Sequence, residues 1–136
     1  MNSRYFHRQI VAVLAITAGL FFCVFTPFSN AKPTEPVVEE TIQHLLDYVN
    51  HSDLVFIRNS GEYTAQQAFE HMQKKYEHFR DEIETAEQFI ELCATRSLLS
   101  GKPYLVINRH GETLNTGEWL TVELKAYRNN LSGRAR

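Results

Sequence analysis

A chain of 136 residues, 43% hydrophobic and 22% charged, has material for a single core and little beyond it. Its formal net charge is −2 and no basic stripe is expected on it. Nucleic acid is therefore not an expected partner, and an acidic membrane surface is equally unsupported.

The N-terminus reads as a secretory signal. Arg4, His7 and Arg8 lead into a mostly apolar run over residues 10–25, and Ser29-Asn30-Ala31 places small residues where a signal peptidase cuts. As a helix the run reaches roughly 24 Å, short of the ~30 Å hydrocarbon core. Residues 1–31 are therefore expected to be cleaved after Ala31, leaving a periplasmic or secreted protein with no stable membrane anchor. Phe22, directly before Cys23, argues against lipidation there. Cleavage removes Arg4, Arg8 and no acid, so the formal charge moves from −2 to −4. Cys93 is then the lone cysteine, which has no partner for an internal disulfide. Residues 32–128 are expected to form one globular domain and residues 129–136 a disordered basic tail.

The mature chain opens on a helix. Pro36 suits a first turn, with Thr34 as a cap, and Val38, Ile42, Leu45, Leu46 and Val49 form one apolar stripe. Residues 54–57 are a β-rich run, and Asn59-Ser60-Gly61 predicts a hairpin with a three-residue loop whose Gly61 takes the left-handed position. Thr64 and Gln67 form a capping box for a second helix. Its stripe is Ala65, Ala68, Phe69, Met72, Tyr76 and Phe79, with Glu70 and Lys74 as an i, i+4 pair.

Thr85 and Gln88 form another capping box, and Ala86, Phe89, Ile90, Cys93 and Ala94 fall on one helical face. Gly101 and Pro103 end that helix. The unbroken apolar run over residues 104–107 predicts a strand covered on both faces. Arg109-His110-Gly111 is a second three-residue loop, followed by a return strand. Asn115 or Thr116 caps a last helix with Leu120, Leu124, Tyr127 and Leu131 in its stripe and Trp119 beside it.

The fold class is thus α+β: about four amphipathic helices packed with two short β-hairpins. Ile57, Gly61 and Glu62 share their spacing with Ile107, Gly111 and Glu112, which suggests a pseudo-duplicated α-ββ-α unit. The alternative is that hairpins preceding helices use similar turn residues anyway.

Three segments together resemble the YfeK-like family of small exported bacterial proteins. They are Phe56-Ile57-Arg58-Asn59 with Gly61-Glu62-Tyr63, Thr85-Ala86-Glu87-Gln88-Phe89-Ile90, and Ser100-Gly101-Lys102-Pro103-Tyr104-Leu105-Val106-Ile107. The resemblance spans roughly residues 40–125. It implies a class and an exported location, and transfers no activity, cofactor or site.

No catalytic constellation is recognisable. There is no nucleophile elbow, phosphate loop or dinucleotide fingerprint. His44 and His51 are seven apart on one helix, as are His71 and His78 on another, which puts the rings roughly 10 Å apart. A single-helix metal site needs i, i+4, so solvated histidines and no metal or cofactor are expected. The candidate binding residues are Arg58 and Asn59 at the first hairpin tip, and Ser100, Gly101, Lys102 and Tyr104 in the connection before the third strand. Trp119 is a further exposed-looking candidate. The reading is a non-enzymatic exported module that binds a partner of the envelope. One alternative is a small hydrolase or metal-dependent enzyme assembled from Arg58, His71, His78, Arg109 and nearby carboxylates. Another follows from Ser100-Gly101 and Tyr104, a pattern that resembles the loop motif of bacterial lysozyme inhibitors and implies inhibition of a cell-wall hydrolase.

Overall fold

The computed structural model describes residues 35–134. The expected signal peptide, Cys23 and the Thr34 cap lie outside these residues. Helix α1 (Pro36–Asn50) begins on its proline and buries Ile42, Leu45, Leu46 and Val49. Strands β1 (Val55–Arg58) and β2 (Gly61–Tyr63) form the first hairpin. Helix α2 (Ala65–Phe79) starts on the Thr64–Gln67 capping box and runs into a 3-10 turn, Arg80–Glu82. Helix α3 (Ala86–Phe89) starts on the Thr85–Gln88 box and continues as a π-helical turn, Ile90–Ala94. Strands β3 (Leu105–Ile107) and β4 (Thr113–Asn115) form the second hairpin, and α4 (Thr116–Arg134) closes the chain.

The sheet is antiparallel throughout, in the order β2-β1-β3-β4. Its centre joins the two hairpins: Phe56 pairs with Val106, Val55 with Ile107 and Ile57 with Leu105. Phe56 and Val106 hold the same place in their own hairpins. The register therefore follows a local two-fold, and α-ββ-α occurs twice around it.

Burial alternates along the central strands. Phe56 and Val106 are buried at 4% and 0% exposure, while Val55 is 40% exposed and Leu105 and Ile107 are half-buried. Helices thus cover one face of the sheet, and β3 is not covered on both faces as its unbroken apolar run suggested. Four strands this short need only one packed face to stand. Phe89, Cys93, Ala94, Leu120 and Leu124 fill the layer between sheet and helices. Tyr76 meets Phe89 edge-on at 5.6 Å and donates a 2.6 Å bond to Glu39 of α1.

Several local expectations need correction. The first hairpin has a two-residue loop, Asn59-Ser60, with both residues at positive φ (51° and 71°). This is the primed turn that matches strand twist, and Asn tolerates it. Gly61 does not take the left-handed position; it lies close under the Tyr63 ring, where a Cβ would stand 3.2 Å away. The second hairpin keeps its three-residue loop, with Gly111 at φ 81°. The third helix widens after Phe89 into i→i+5 turns, and Thr95 Oγ1 donates 3.0 Å to Ile90 O across that widened turn. Asn115, not Thr116, caps α4, its Oδ1 accepting from the amides of Gly117 and Glu118. Residues 129–134, expected as disordered tail, continue α4, and there Ser132 Oγ donates 3.0 Å to Arg128 O. His44 is not solvated: its ring stacks on Tyr127 at 3.8 Å and its Nε2 lies 2.7 Å from Glu123 Oε1. Trp119 is a core-margin indole, stacked on Tyr48 and edge-on to Phe56.

Candidate functional site

Helix α2 presents two stripes. Ala65, Ala68, Met72 and Tyr76 turn into the core. His71, Lys74, Lys75 and His78 recur at i, i+3, i+4 and i+7, so they share a second face. That basic face forms one wall of an open groove of about 380 Å³. The tip of the β1–β2 hairpin supplies Arg58, Asn59 and Tyr63, and the turn after the π segment supplies Ser97, Leu98, Leu99 and Tyr104.

The floor is aromatic. The Arg58 guanidinium lies over the Tyr63 ring at 4.5 Å. Lys75 Nζ stands 5.2 Å from the Tyr104 ring centre and donates 3.2 Å to Arg96 O. His71 Nε2 is 3.1 Å from the Tyr104 hydroxyl. Burial, reinforced by Arg58, Lys75 and Lys74, lowers the His71 pKa to about 4. Its imidazole is therefore neutral at pH 7. Burial also pulls Lys75 down, opposed by Cys93, and pushes Tyr104 up, opposed by Arg58.

The groove has no acidic wall. Among the described residues no carboxylate lines it, and none pairs with Arg58, Lys74 or Lys75. The expected Glu70–Lys74 pair does not form, since Glu70 accepts from Gln66 Nε2 at 3.2 Å and leaves Lys74 to the groove. A basic groove on a chain with acidic net charge concentrates positive potential in one place.

The turn over residues 97–102 is tightly held. Gly101, at φ 68°, donates 2.8 Å to Ser97 O, and Ser97 donates 2.9 Å to Lys102 O. Arg96 bridges to Pro103, and Tyr104 donates 3.0 Å to Thr95 O. Ser100 Oγ donates 2.6 Å to Asn59 Oδ1, which ties this turn to the hairpin tip.

The two stretches singled out in the sequence thus meet. Arg58, Asn59 and Tyr104 line the groove, and Ser100 braces its wall. Gly101 shapes the turn from outside, and Lys102 is exposed away from the groove lining. Tyr104 is only 6% exposed, so it serves as floor rather than contact surface. Arg109 and His110 sit in the other hairpin loop and do not join them. Sequence reasoning missed Lys74, Lys75, Leu98 and Leu99. The helical spacing of His71, Lys74, Lys75 and His78 was the available signal, set aside because only a metal was sought there. Cys93, on the core side, is fully buried, and burial pushes its thiol up to about 12 against the pull of Lys75.

These features define a small α+β protein with an open basic groove beside its sheet. The chain belongs to a family of unknown function, DUF5329, whose model matches residues 36–128. It is also similar to the uncharacterized protein YfeK of Salmonella typhimurium, with 43% identity over 52 residues. That match covers 38% of this chain and 43% of the relative, so it spans less than half of either. No solved structure matches the chain.

Proposed function

We propose that this chain is an exported, non-enzymatic binding module that holds a negatively charged ligand in the groove beside α2. One observation carries the reading: Arg58, Lys74 and Lys75 converge with His71 and His78, and no carboxylate answers them among the described residues. Cations left without counter-charges on a rigid scaffold attract anions and speed their encounter. Export rests on the basic start, apolar run and Ser29-Asn30-Ala31 of the N-terminus. The groove lacks the acid that a hydrolytic pair would need, and the neutral His71 is a weak base. A hydrolase-inhibiting loop over residues 100–104 would need Tyr104 outside, whereas its ring is buried against His71 and Lys75.

The test is an amide-shift titration of the exported protein with polyglutamate at low salt. Shifts should cluster at Arg58, Tyr63, Lys74 and Lys75. They should vanish in the Arg58→Gln, Lys74→Gln, Lys75→Gln triple variant and weaken as salt is raised. Absence of binding, or binding indifferent to the triple variant, refutes the reading. N-terminal sequencing of protein from the envelope fraction should start at Lys32 or close by; full-length chain in the cytosol refutes export.

A further inference from the structure

Leu98 and Leu99 are the oddest residues on the surface. They are 61% and 101% exposed, and both line the basic groove. A single exposed leucine needs no explanation. Two adjacent ones on a turn this firmly braced are another matter. The hydrogen bonds from Gly101 to Ser97, from Ser97 to Lys102 and from Ser100 to Asn59 hold the turn before any partner arrives. Ordering a flexible loop is a main cost of association, and here that cost is already met by the fold.

We propose that the groove takes an extended acidic peptide segment of a partner protein, its carboxylates on Arg58, Lys74 and Lys75 and its aliphatic side chains against Leu98 and Leu99. The inference rests on the anion reading above and names the class of ligand. Charge complementarity selects the sign, because the groove offers cations and no acid. Shape selects a chain over a small molecule. Pockets for small ligands enclose most of the ligand surface, whereas this groove is open along its length and lies between a hairpin tip and a raised turn. Lys75 and His71 are half-buried in the groove, where a narrow extended chain reaches them more readily than the headgroups of a flat bilayer. The half-buried Tyr63 and Phe79 rings give apolar contact beside the charges, the composition that concentrates binding energy in interfaces.

The experiment uses a fluorescently labelled synthetic peptide of Glu-Leu-Leu-Glu repeats and reads anisotropy with the exported protein. Polyglutamate, a Gln-Leu-Leu-Gln counterpart and phosphatidylglycerol vesicles run beside it. The Glu-Leu peptide should bind more tightly than polyglutamate or the neutral peptide. Leu99→Ser and the Lys74→Gln, Lys75→Gln pair should each weaken it by about tenfold or more. Val122→Ser, at an exposed apolar position on α4, should leave it unchanged. Leu99 is fully exposed, so its variant should melt as the parent does. If polyglutamate binds as well and Leu99→Ser is silent, the peptide inference is overturned while the anion reading stands. Leucine-dependent binding to vesicles with no peptide binding also overturns it, as does equal binding of the neutral peptide. If no anionic probe binds at all, both readings fall.

Discussion

Gly117→Ala ought to stabilise a helix and is expected here to destabilise the protein. In an open helix interior the exchange gains up to about 1 kcal/mol. Gly117 lies in the first turn of α4, where a Cβ would stand 2.6 Å from Thr95 Oγ1 and 3.3 Å from Asn115 Oδ1. Neither atom has room to spare. Thr95 Oγ1 donates to Ile90 O across the π turn, and Asn115 Oδ1 is the helix cap. Moving the threonine hydroxyl gives up a bond worth about 0.5–1.5 kcal/mol, and crowding the cap loses part of a further ~1 kcal/mol. Set against the propensity gain, which a first-turn site realises only in part, the net loss is up to about 1.5 kcal/mol, at the low end of the usual range for overpacking. Urea denaturation of Gly117→Ala, Thr95→Ala and the double variant measures it. In the Thr95→Ala background the clashing atom is gone, so Gly117→Ala should become neutral or favourable, giving a coupling energy above about 1 kcal/mol. A raised midpoint for Gly117→Ala alone, or an equal effect in both backgrounds, would show that α4 and the π turn are not in contact as described.

Gly101→Val should cost about 1–3 kcal/mol through backbone strain alone, because Gly101 has φ 68° and a Cβ would meet nothing within 4 Å; a cost below that of Gly101→Asn would contradict the left-handed assignment. Cys93 should react slowly with thiol reagents when folded and fast in denaturant, given its full burial and a pKa pushed up to about 12; equal rates would place it on the wrong helix face. The folded His71 pKa of about 4 lies below its ordinary 6.5. The unfolded chain therefore binds the proton first, and stability should fall as pH drops from about 6.5 toward 4. His71→Gln should flatten that part of the melting-temperature profile, and an unchanged slope would mean the ring is solvated. Thr116 is fully buried with its hydroxyl unpaired among the described residues, so Thr116→Val should leave stability unchanged or raise it by about 1 kcal/mol; a loss of similar size in urea melts would reveal a hidden partner.

The helices were legible because capping boxes and apolar stripes are local signals. Thr64 with Gln67 and Thr85 with Gln88 mark helix starts that packing then keeps. Strand burial was less legible. Leu105, Val106 and Ile107 read as uniformly apolar, and only the sheet decides that Val106 turns inward while its neighbours stay half-exposed. The hairpin loop was misread because Asn59 and Ser60 hold positive φ themselves, while Gly61 answers to the Tyr63 ring two residues on. The groove was half legible. Turn chemistry pointed to Arg58, Asn59 and residues 100–104. The helical spacing of Lys74 and Lys75 was visible too, but that this face meets the hairpin tip is set by tertiary packing. Leu98 and Leu99 were skipped because exposure is a property of the fold and not of the residue type.

The pairing of Phe56 with Val106 at the centre of the sheet has a kinetic side. Each hairpin closes over two or three residues, a local event on the order of 1–10 μs. The ladder between β1 and β3 must instead bring together segments from opposite halves of the chain, with α2, α3 and the π turn between them. Loop-closure entropy is spent there before any contact repays it. That ladder shares the cost with the packing of α1 on α4, where His44 meets Glu123, 79 residues further on. The groove is assembled across that same divide, since Arg58 comes from one half and Leu98, Leu99 and Tyr104 from the other. A chain that has made both hairpins but not yet joined them holds the cations of β1 and α2 without the wall that Leu98, Leu99 and Tyr104 supply.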